Sequence, residues 1–300
     1  MGSYLPTVQL GGSVFTVSTG GGHSCTVFFD FSAACWGGNG DGQLGLGNTA
    51  DRGDGAGEMG SYLSKIDAGT NFAVLAIATG SSHTCVLSTG SEIKCFGKNN
   101  NGQLGYQNKL SQGDGANEMG DNLALVSLGS TCTTVTLLRA GSAYTCVVCS
   151  SGSVKCWGRN FYGQLGLGNK VDQGDNNNEM GDNLAEVDVG SGLTPIAVVT
   201  GFYHTCAIFD DFSLKCWGLS GDGQLGYGDT TTRGDGNNEM GDNLPFVDVG
   251  TGSTVLDMCL GEYHSCAILN DYSVKCWGLN DDGQLGYGDI QARGDDSSEM

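Results

Sequence analysis

Tyr203-His204-Thr205-Cys206-Ala207-Ile208, then Leu214-Lys215-Cys216-Trp217-Gly218, then Gly223-Gln224-Leu225-Gly226-Tyr227-Gly228-Asp229, is the stretch from which the fold is read. Its first two runs are short and apolar, each centres on a cysteine, and a turn at Asp211 separates them, which is the pattern of two antiparallel strands. The order recurs along the chain. Gly-Gln-Leu-Gly stands at 42–45, 102–105, 163–166, 223–226 and 283–286, each time after Cys-Trp-Gly or, in the second unit, Cys95-Phe96-Gly97. Each copy precedes a Gly-Asp-x-x-x-Glu-Met loop such as that from Gly234 to Met240.

A period of about 60 residues running through 300 marks one repeat domain, with units at approximately 1–58, 59–118, 119–179, 180–239 and 240–300. Within the fourth and fifth units, Leu244-Pro245-Phe246-Val247-Asp248-Val249, the run 254–260, the run 264–269 and the run 273–277 read as four strands. The expected fold is therefore all-β, a propeller-like array of five four-stranded blades. No run holds a 3.6-residue apolar period, so no helix beyond an occasional turn is expected. Met1-Gly2-Ser3-Tyr4-Leu5 repeats Met59-Gly60-Ser61-Tyr62-Leu63 and Glu299-Met300 stops in the same phase, so the expectation is a segment of a longer, uncapped array.

The chain has 53 glycines but 3 prolines, with 39% hydrophobic residues, which fits buried strands joined by tight turns. The net charge of −20 repels a phosphate backbone and excludes nucleic acid as a partner. No run of 18 apolar residues is present, so no membrane span is expected.

The quoted order, His-x-Cys, Val/Leu-Lys-Cys-Trp-Gly and Gly-Gln-Leu-Gly-Tyr-Gly-Asp, resembles the repeat of the regulator-of-chromosome-condensation family over nearly the whole chain. That resemblance implies β-propeller blades and, in known members, seven of them. Here five units each carry a longer loop, leaving three arrangements open: a small ring, part of a larger ring, or a spiral continuing from chain to chain. Related propellers include nucleotide exchange factors and inhibitors of secreted enzymes.

Cys25/Cys35, Cys85/Cys95, Cys146/Cys156, Cys206/Cys216 and Cys266/Cys276 are each separated by ten residues and flank a hairpin turn, so each pair faces across two strands within disulfide reach. Cys132 and Cys149 are centred on Ala140-Gly141, the next expected turn, which predicts a sixth disulfide. Cys259 is left over, as a buried core thiol or an intermolecular link. Disulfides imply an oxidising compartment, hence an extracellular or cell-surface protein. Zinc is disfavoured because Tyr144 replaces the histidine while Cys146 and Cys156 remain.

Trp36, Phe96, Trp157, Trp217 and Trp277 share one repeat position and are expected between blades, with sugar stacking as the alternative. His23, His83, His204 and His264 lack a recurring nucleophile and acid, so they are read as backbone binders, and no catalytic residue is assigned. The loop acids Asp54/Glu58, Asp114/Glu118, Asp175/Glu179, Asp235/Glu239 and Asp295/Glu299 offer hard oxygens suited to calcium, against the plainer reading of solvated turns. Arg-Gly-Asp at Arg52, Arg233 and Arg293 loses its arginine to Gln112 and Gln173 elsewhere, so Gly-Asp belongs to the turn.

Two functions are expected. One is a non-catalytic extracellular structural protein assembling head-to-tail through its repeats into a filament or surface layer. The other is a discrete secreted propeller that binds or inhibits another protein. If 12 of the 13 cysteines pair, unfolding without reductant exposes one reactive thiol per chain. Thiol titration finding three or more contradicts the pairing.

Overall fold

The computed structural model describes residues 5–300; Met1 to Tyr4, and with them most of the terminal sequence match, lie outside those residues. Five antiparallel sheets are present, each of three consecutive strands. They are β1 (Val14–Thr19), β2 (His23–Phe28) and β3 (Ala33–Gly37), then β4 (Val74–Thr79), β5 (His83–Ser88) and β6 (Ile93–Gly97). The third blade has β7 (Val135–Ala140), β8 (Tyr144–Cys149) and β9 (Val154–Gly158). The fourth has β10 (Pro195–Thr200), β11 (His204–Phe209) and β12 (Leu214–Gly218), and the fifth β13 (Val255–Leu260), β14 (His264–Leu269) and β15 (Val274–Gly278). The chain divides into two compact units: residues up to Asn100 with Lys109–Val126, holding the first two blades, and Asn101–Asn108 with Ser127–Met300, holding the other three.

Each blade has three strands where the sequence suggested four. The missing strand is the run before it, such as Leu244-Pro245-Phe246-Val247-Asp248-Val249, which alternates correctly but is shared between two blades. Val247 N donates to Leu214 O of the fourth blade at 2.8 Å, while Val249 O accepts from Lys275 Nζ of the fifth at 2.9 Å. The same split occurs at Val187, which donates to Val154 O, and Val189, whose carbonyl accepts from Lys215 Nζ at 3.0 Å. A segment whose neighbouring backbone groups serve different sheets cannot extend a ladder in either. Its side chains still enter the core, with Leu244, Val247 and Val249 buried. The lysine of Val/Leu-Lys-Cys-Trp is thereby explained: Lys215 also donates to Gly241 O, and Lys94 bridges Ala68 O and Gly120 O at 2.8 Å each.

Hydrophobic packing lies between blades. In the larger unit, Cys146, Val148, Val154 and Cys156 of the third blade pack with Val198, Ala207, Phe209 and Trp217 of the fourth. Cys206, Ile208 and Cys216 of the fourth meet Met258, Ala267 and Trp277 of the fifth in the same way. Alternation therefore buries both faces of an inner blade, and β8, β9, β11 and β12 are buried along their whole length. β15, with no blade beyond it among the described residues, exposes Val274 and Lys275.

The five hairpin pairs, Cys25–Cys35, Cys85–Cys95, Cys146–Cys156, Cys206–Cys216 and Cys266–Cys276, are disulfide-bonded and directly opposite in register. Their Cα atoms are 4.1 Å apart, the close approach of a non-hydrogen-bonded antiparallel pair. Cys132 joins Cys149 across a Cα distance of 5.3 Å.

The surroundings of Cys35 differ from those of its counterparts. Ala34 precedes it where the other blades have lysine, so β3 departs from the Val/Leu-Lys-Cys-Trp pattern and has no ammonium to reach the preceding segment. Cys35 itself is buried against Cys25, but Trp36 beside it is only half-buried, correcting the expectation that the tryptophan of every unit is enclosed between blades. Trp36 packs instead with Met59 on the first blade's own Phe28, Ala34 and Leu63. Cys259 is an exposed free thiol on β13, correcting its reading as a core residue. The cause is register: buried Met258 takes the inward position beside it.

Closing a loop of 10 residues restricts the unfolded chain by about 2–3 kcal/mol. The Cys206→Ala/Cys216→Ala variant is accordingly expected to lose about that much stability in urea titration. An unchanged midpoint would refute this.

Candidate binding surface

The residues with chemical capability hold one blade to the next. Gln164 O, in Gly-Gln-Leu-Gly of the third blade, accepts from Thr205 Oγ1 (2.8 Å) and Trp217 Nε1 (3.1 Å) of the fourth. Gln224 O accepts from Ser265 Oγ (2.8 Å) and Trp277 Nε1 (3.0 Å) of the fifth. Within the smaller unit Gln43 O accepts from Thr84 Oγ1 at 2.8 Å, and Phe96, having no N–H, adds nothing. Trp157, Trp217 and Trp277 are buried and offer no face to a sugar.

The histidines complete this chain of bonds. His204 Nε2 lies 3.0 Å from Ser265 Oγ, and His23 Nε2 lies 2.8 Å from Thr84 Oγ1. Because each hydroxyl gives its proton to the glutamine carbonyl, the ring nitrogen is the donor and Nδ1 is left unprotonated. Burial pushes His23 down to about 4 and His204 down to about 3, so both are neutral at pH 7. Tyr144 takes the histidine's place in the third blade and donates to His204 O at 2.7 Å. These histidines serve as fixed donors, and the hydroxyls beside them, Ser265 and Thr84, spend their protons on the glutamine carbonyls. The cysteines beside them, from Cys25 and Cys35 in the first blade to Cys266 and Cys276 in the fifth, are oxidised to disulfides and present no thiolate for catalysis or zinc.

The loop acids close turns. Glu239 Oε2 accepts from Asp235 N (3.0 Å) and Gly236 N (2.8 Å), and Glu58 Oε2 from Gly53 N (2.8 Å) and Gly55 N (2.9 Å). Glu118, Glu179 and Glu299 accept backbone amides in the same loop. Asp121, Asp182 and Asp242 fasten the next loop, taking amide and hydroxyl protons from Thr70, Ser130 and Ser191. Asp235 is paired with Lys170, and Asp175 accepts from Asn176 Nδ2. Asp54, Asp114 and Asp295 share that loop position; burial and the neighbouring Glu118 carboxyl push Asp114 up. Among the described residues no three or more His, Cys, Asp or Glu side chains are grouped to hold a metal ion. Calcium takes six to eight oxygens, and in these loops the glutamates accept backbone amides. Arg233 and Arg293, of the Arg-Gly-Asp copies, pair with Asp229 and Asp289 at 2.8 Å.

One surface departs from the repeat, and sequence reasoning passed over it. In the larger unit Phe161 meets Tyr162 edge-on at 4.9 Å, Tyr162 meets Tyr203 at 5.4 Å, and Tyr203 meets Phe202 at 6.0 Å and Tyr263 at 5.8 Å. Arg159 lies over Phe161 and Tyr203, at 6.0 and 5.7 Å from the ring centres. These residues come from two loops: the one after the third strand, and the turn before the second. The first blade has Gly40-Asp41 and Gly21-Gly22 there, and the second Asn100-Asn101 and Ser81-Ser82. Aromatics in columns otherwise filled by small residues were the available signal.

The chain matches the model of the regulator of chromosome condensation (RCC1) repeat at residues 74–103, 135–164, 196–224 and 255–284. It is 27% identical over 282 residues to the ultraviolet-B receptor UVR8 of Arabidopsis thaliana, covering 93% of this chain and 56% of that receptor. It is 28% identical over 221 residues to the probable E3 ubiquitin-protein ligase HERC4 of Homo sapiens, covering 73% of this chain and 19% of the ligase. The chain thus spans little more than half of one relative and a small part of the other. Yeast RCC1 (Prp20), solved bound to Kap60, superposes with a TM-score of 0.70 at 14% identity, over 95% of this chain and 60% of that one. Human WBSCR16 superposes with a TM-score of 0.61 at 18% identity, over 95% of this chain and 81% of that one.

Neutral buried histidines carry a pH signature. The unfolded chain takes protons near the ordinary value of 6.5 that folded His23 and His204 refuse until about 4 and about 3. Their contribution is complete above pH 6.5 and is lost as pH falls towards those values. The melting temperature is expected to decline below pH 6.5, and less steeply in His204→Tyr, which copies the third blade. Equal slopes would overturn the assignment. Four matched repeats, the recurring blade and the propeller superposition together make the chain a member of the regulator-of-chromosome-condensation-type β-propeller repeat family.

Proposed function

We propose that this chain is a non-catalytic protein-recognition scaffold of an oxidising, extracellular compartment, presenting loops on a disulfide-stapled frame. The observation that carries the reading is the aromatic surface of the third to fifth blades. Its rings lie on loops, at positions that the interblade bonds leave free, and they break a repeat kept elsewhere. Partly exposed tyrosine and phenylalanine beside an arginine is the composition enriched at protein interfaces. A non-catalytic reading is supported by His204 Nε2 and the hydroxyls of Thr205 and Ser265 being spent on bonds between blades. The oxidising compartment rests on six disulfides, which a reducing cytosol would not keep. Relatives of this fold include Prp20, which binds Gsp1p and histones.

A second reading, assembly of copies through their blades, has its own observation. Ser24 Oγ and Trp36 Nε1 have no hydrogen-bond partner among the described residues, while their counterparts Ser265 and Trp277 bond Gln224 O. A glutamine carbonyl from another copy would satisfy them. Light scattering across a concentration series decides this reading, since a constant monomer mass excludes it.

Recognition is tested by exchanging the surface for first-blade residues: Phe161→Gly, Tyr162→Asp, Phe202→Gly, Tyr203→Gly and Tyr263→Gly together. Proteins cross-linked to the chain in its own secreted milieu are expected to be lost, with the far-ultraviolet spectrum and melting temperature kept. An unchanged cross-linking pattern in a folded variant would count against the reading.

A further inference from the structure

The aromatic surface has a charge as well as a shape. Glu262 is exposed beside Tyr263 in the turn of the fifth blade, and its carboxylate acts on the Tyr263 hydroxyl. Burial, this carboxylate and the neighbouring Tyr203 and Tyr162 raise Tyr263 to about 12, so it stays protonated as a donor. In the loop that supplies Phe161 and Tyr162 to the third blade, the fourth blade has Asp222 and the fifth has Asp281 and Asp282. Asp222 is pushed up by burial and by the charges of Asp281 and Asp295. Carboxylates are therefore crowded here, and the loops themselves supply only Arg159 as a counter-charge; Leu219 and Leu279 stand at its place in the next two blades.

Arg159 also shows what these rings accept. A guanidinium over a tyrosine or phenylalanine face is attracted by the ring quadrupole within about 6 Å. Arg159 uses Phe161, at one end of the row, and Tyr203, in its middle. Among the described residues no cation lies over Tyr263, at the other end, where Glu262 stands.

We propose that the row Tyr162, Tyr203, Tyr263, with Glu262 beside it, docks a basic segment of a partner protein, an arginine or lysine side chain lying over Tyr263, next to the ring that Arg159 covers, with its charge towards Glu262. The inference rests on the recognition reading and names its partner's chemistry. Charge complementarity commits it to this occupant: 33 acidic against 13 basic residues steer cations towards the chain, and the tyrosine faces select where one settles.

Isothermal titration of the full chain with tetra-arginine, tetralysine and tetraglutamate peptides tests the proposal, because bulk charge and ring faces separate cleanly. The Tyr203→Leu/Tyr263→Leu variant keeps net charge and apolar area but loses the ring quadrupoles. The expected result is saturable binding of tetra-arginine and tetralysine, none of tetraglutamate, and at least a tenfold loss of affinity in the double variant. Glu262→Gln is expected to weaken binding several-fold. Equal affinity in a double variant of unchanged melting temperature would mean a general attraction to the acidic surface and would overturn the proposal, as would no binding. If basic peptides fail while the loop exchange still abolishes cross-linking, the partner class falls and recognition stands.

Discussion

The structure depends on one acceptor, the backbone carbonyl of the glutamine in Gly-Gln-Leu-Gly. A carbonyl oxygen has two lone pairs, and Gln164 and Gln224 use both on the following blade, one for a hydroxyl and one for an indole N–H. At Gln224 the His204 ring donates in turn to the Ser265 hydroxyl, so two side chains converge on one backbone atom and a third holds one of them. Replacing any one leaves the others buried and short of a partner, which costs about 1–3 kcal/mol for each such group. The repeat is therefore tightly specified in its strands and permissive in its loops. The glycines that frame the glutamine serve the same contact: a side chain on Gly163, held at φ 73°, would strike the backbone of Gly234 and Asp235.

This division explains which parts were legible in the sequence. Strands two and three of every blade are visible because cysteines recur ten residues apart, with an aromatic after the second, and the pairing of Cys206 with Cys216 or of Cys25 with Cys35 follows from two strands and one turn. The supposed first strand was misread because Leu244, Val247 and Val249 alternate as a strand does, while their backbone serves two sheets at once. Spacing reports which side chains are buried and is silent about where carbonyls point. Cys259 was misplaced for a related reason: a bulge between Val255 and Asp257 shifts the register, leaving Met258 to face inwards.

The aromatic surface was missed because a repeat draws attention to what recurs. Tyr162, Tyr203 and Tyr263 stand in two different columns of the repeat, and only folding brings the columns together. The recurrence of Asp235/Glu239 in five units has a structural source in its own right: Glu239 accepts the two amides of a tight loop.

The central claim is that a rigid frame carries freely variable recognition loops, and native-state hydrogen exchange tests it most directly. The account predicts that the amides of β8, β9, β11 and β12 exchange only through global unfolding, as one cooperative group. The backbone at 159–162, 202–203 and 262–263 is predicted to exchange faster by local opening. Exchange of these loops together with the strands, or of single blades independently of their neighbours, would contradict the account.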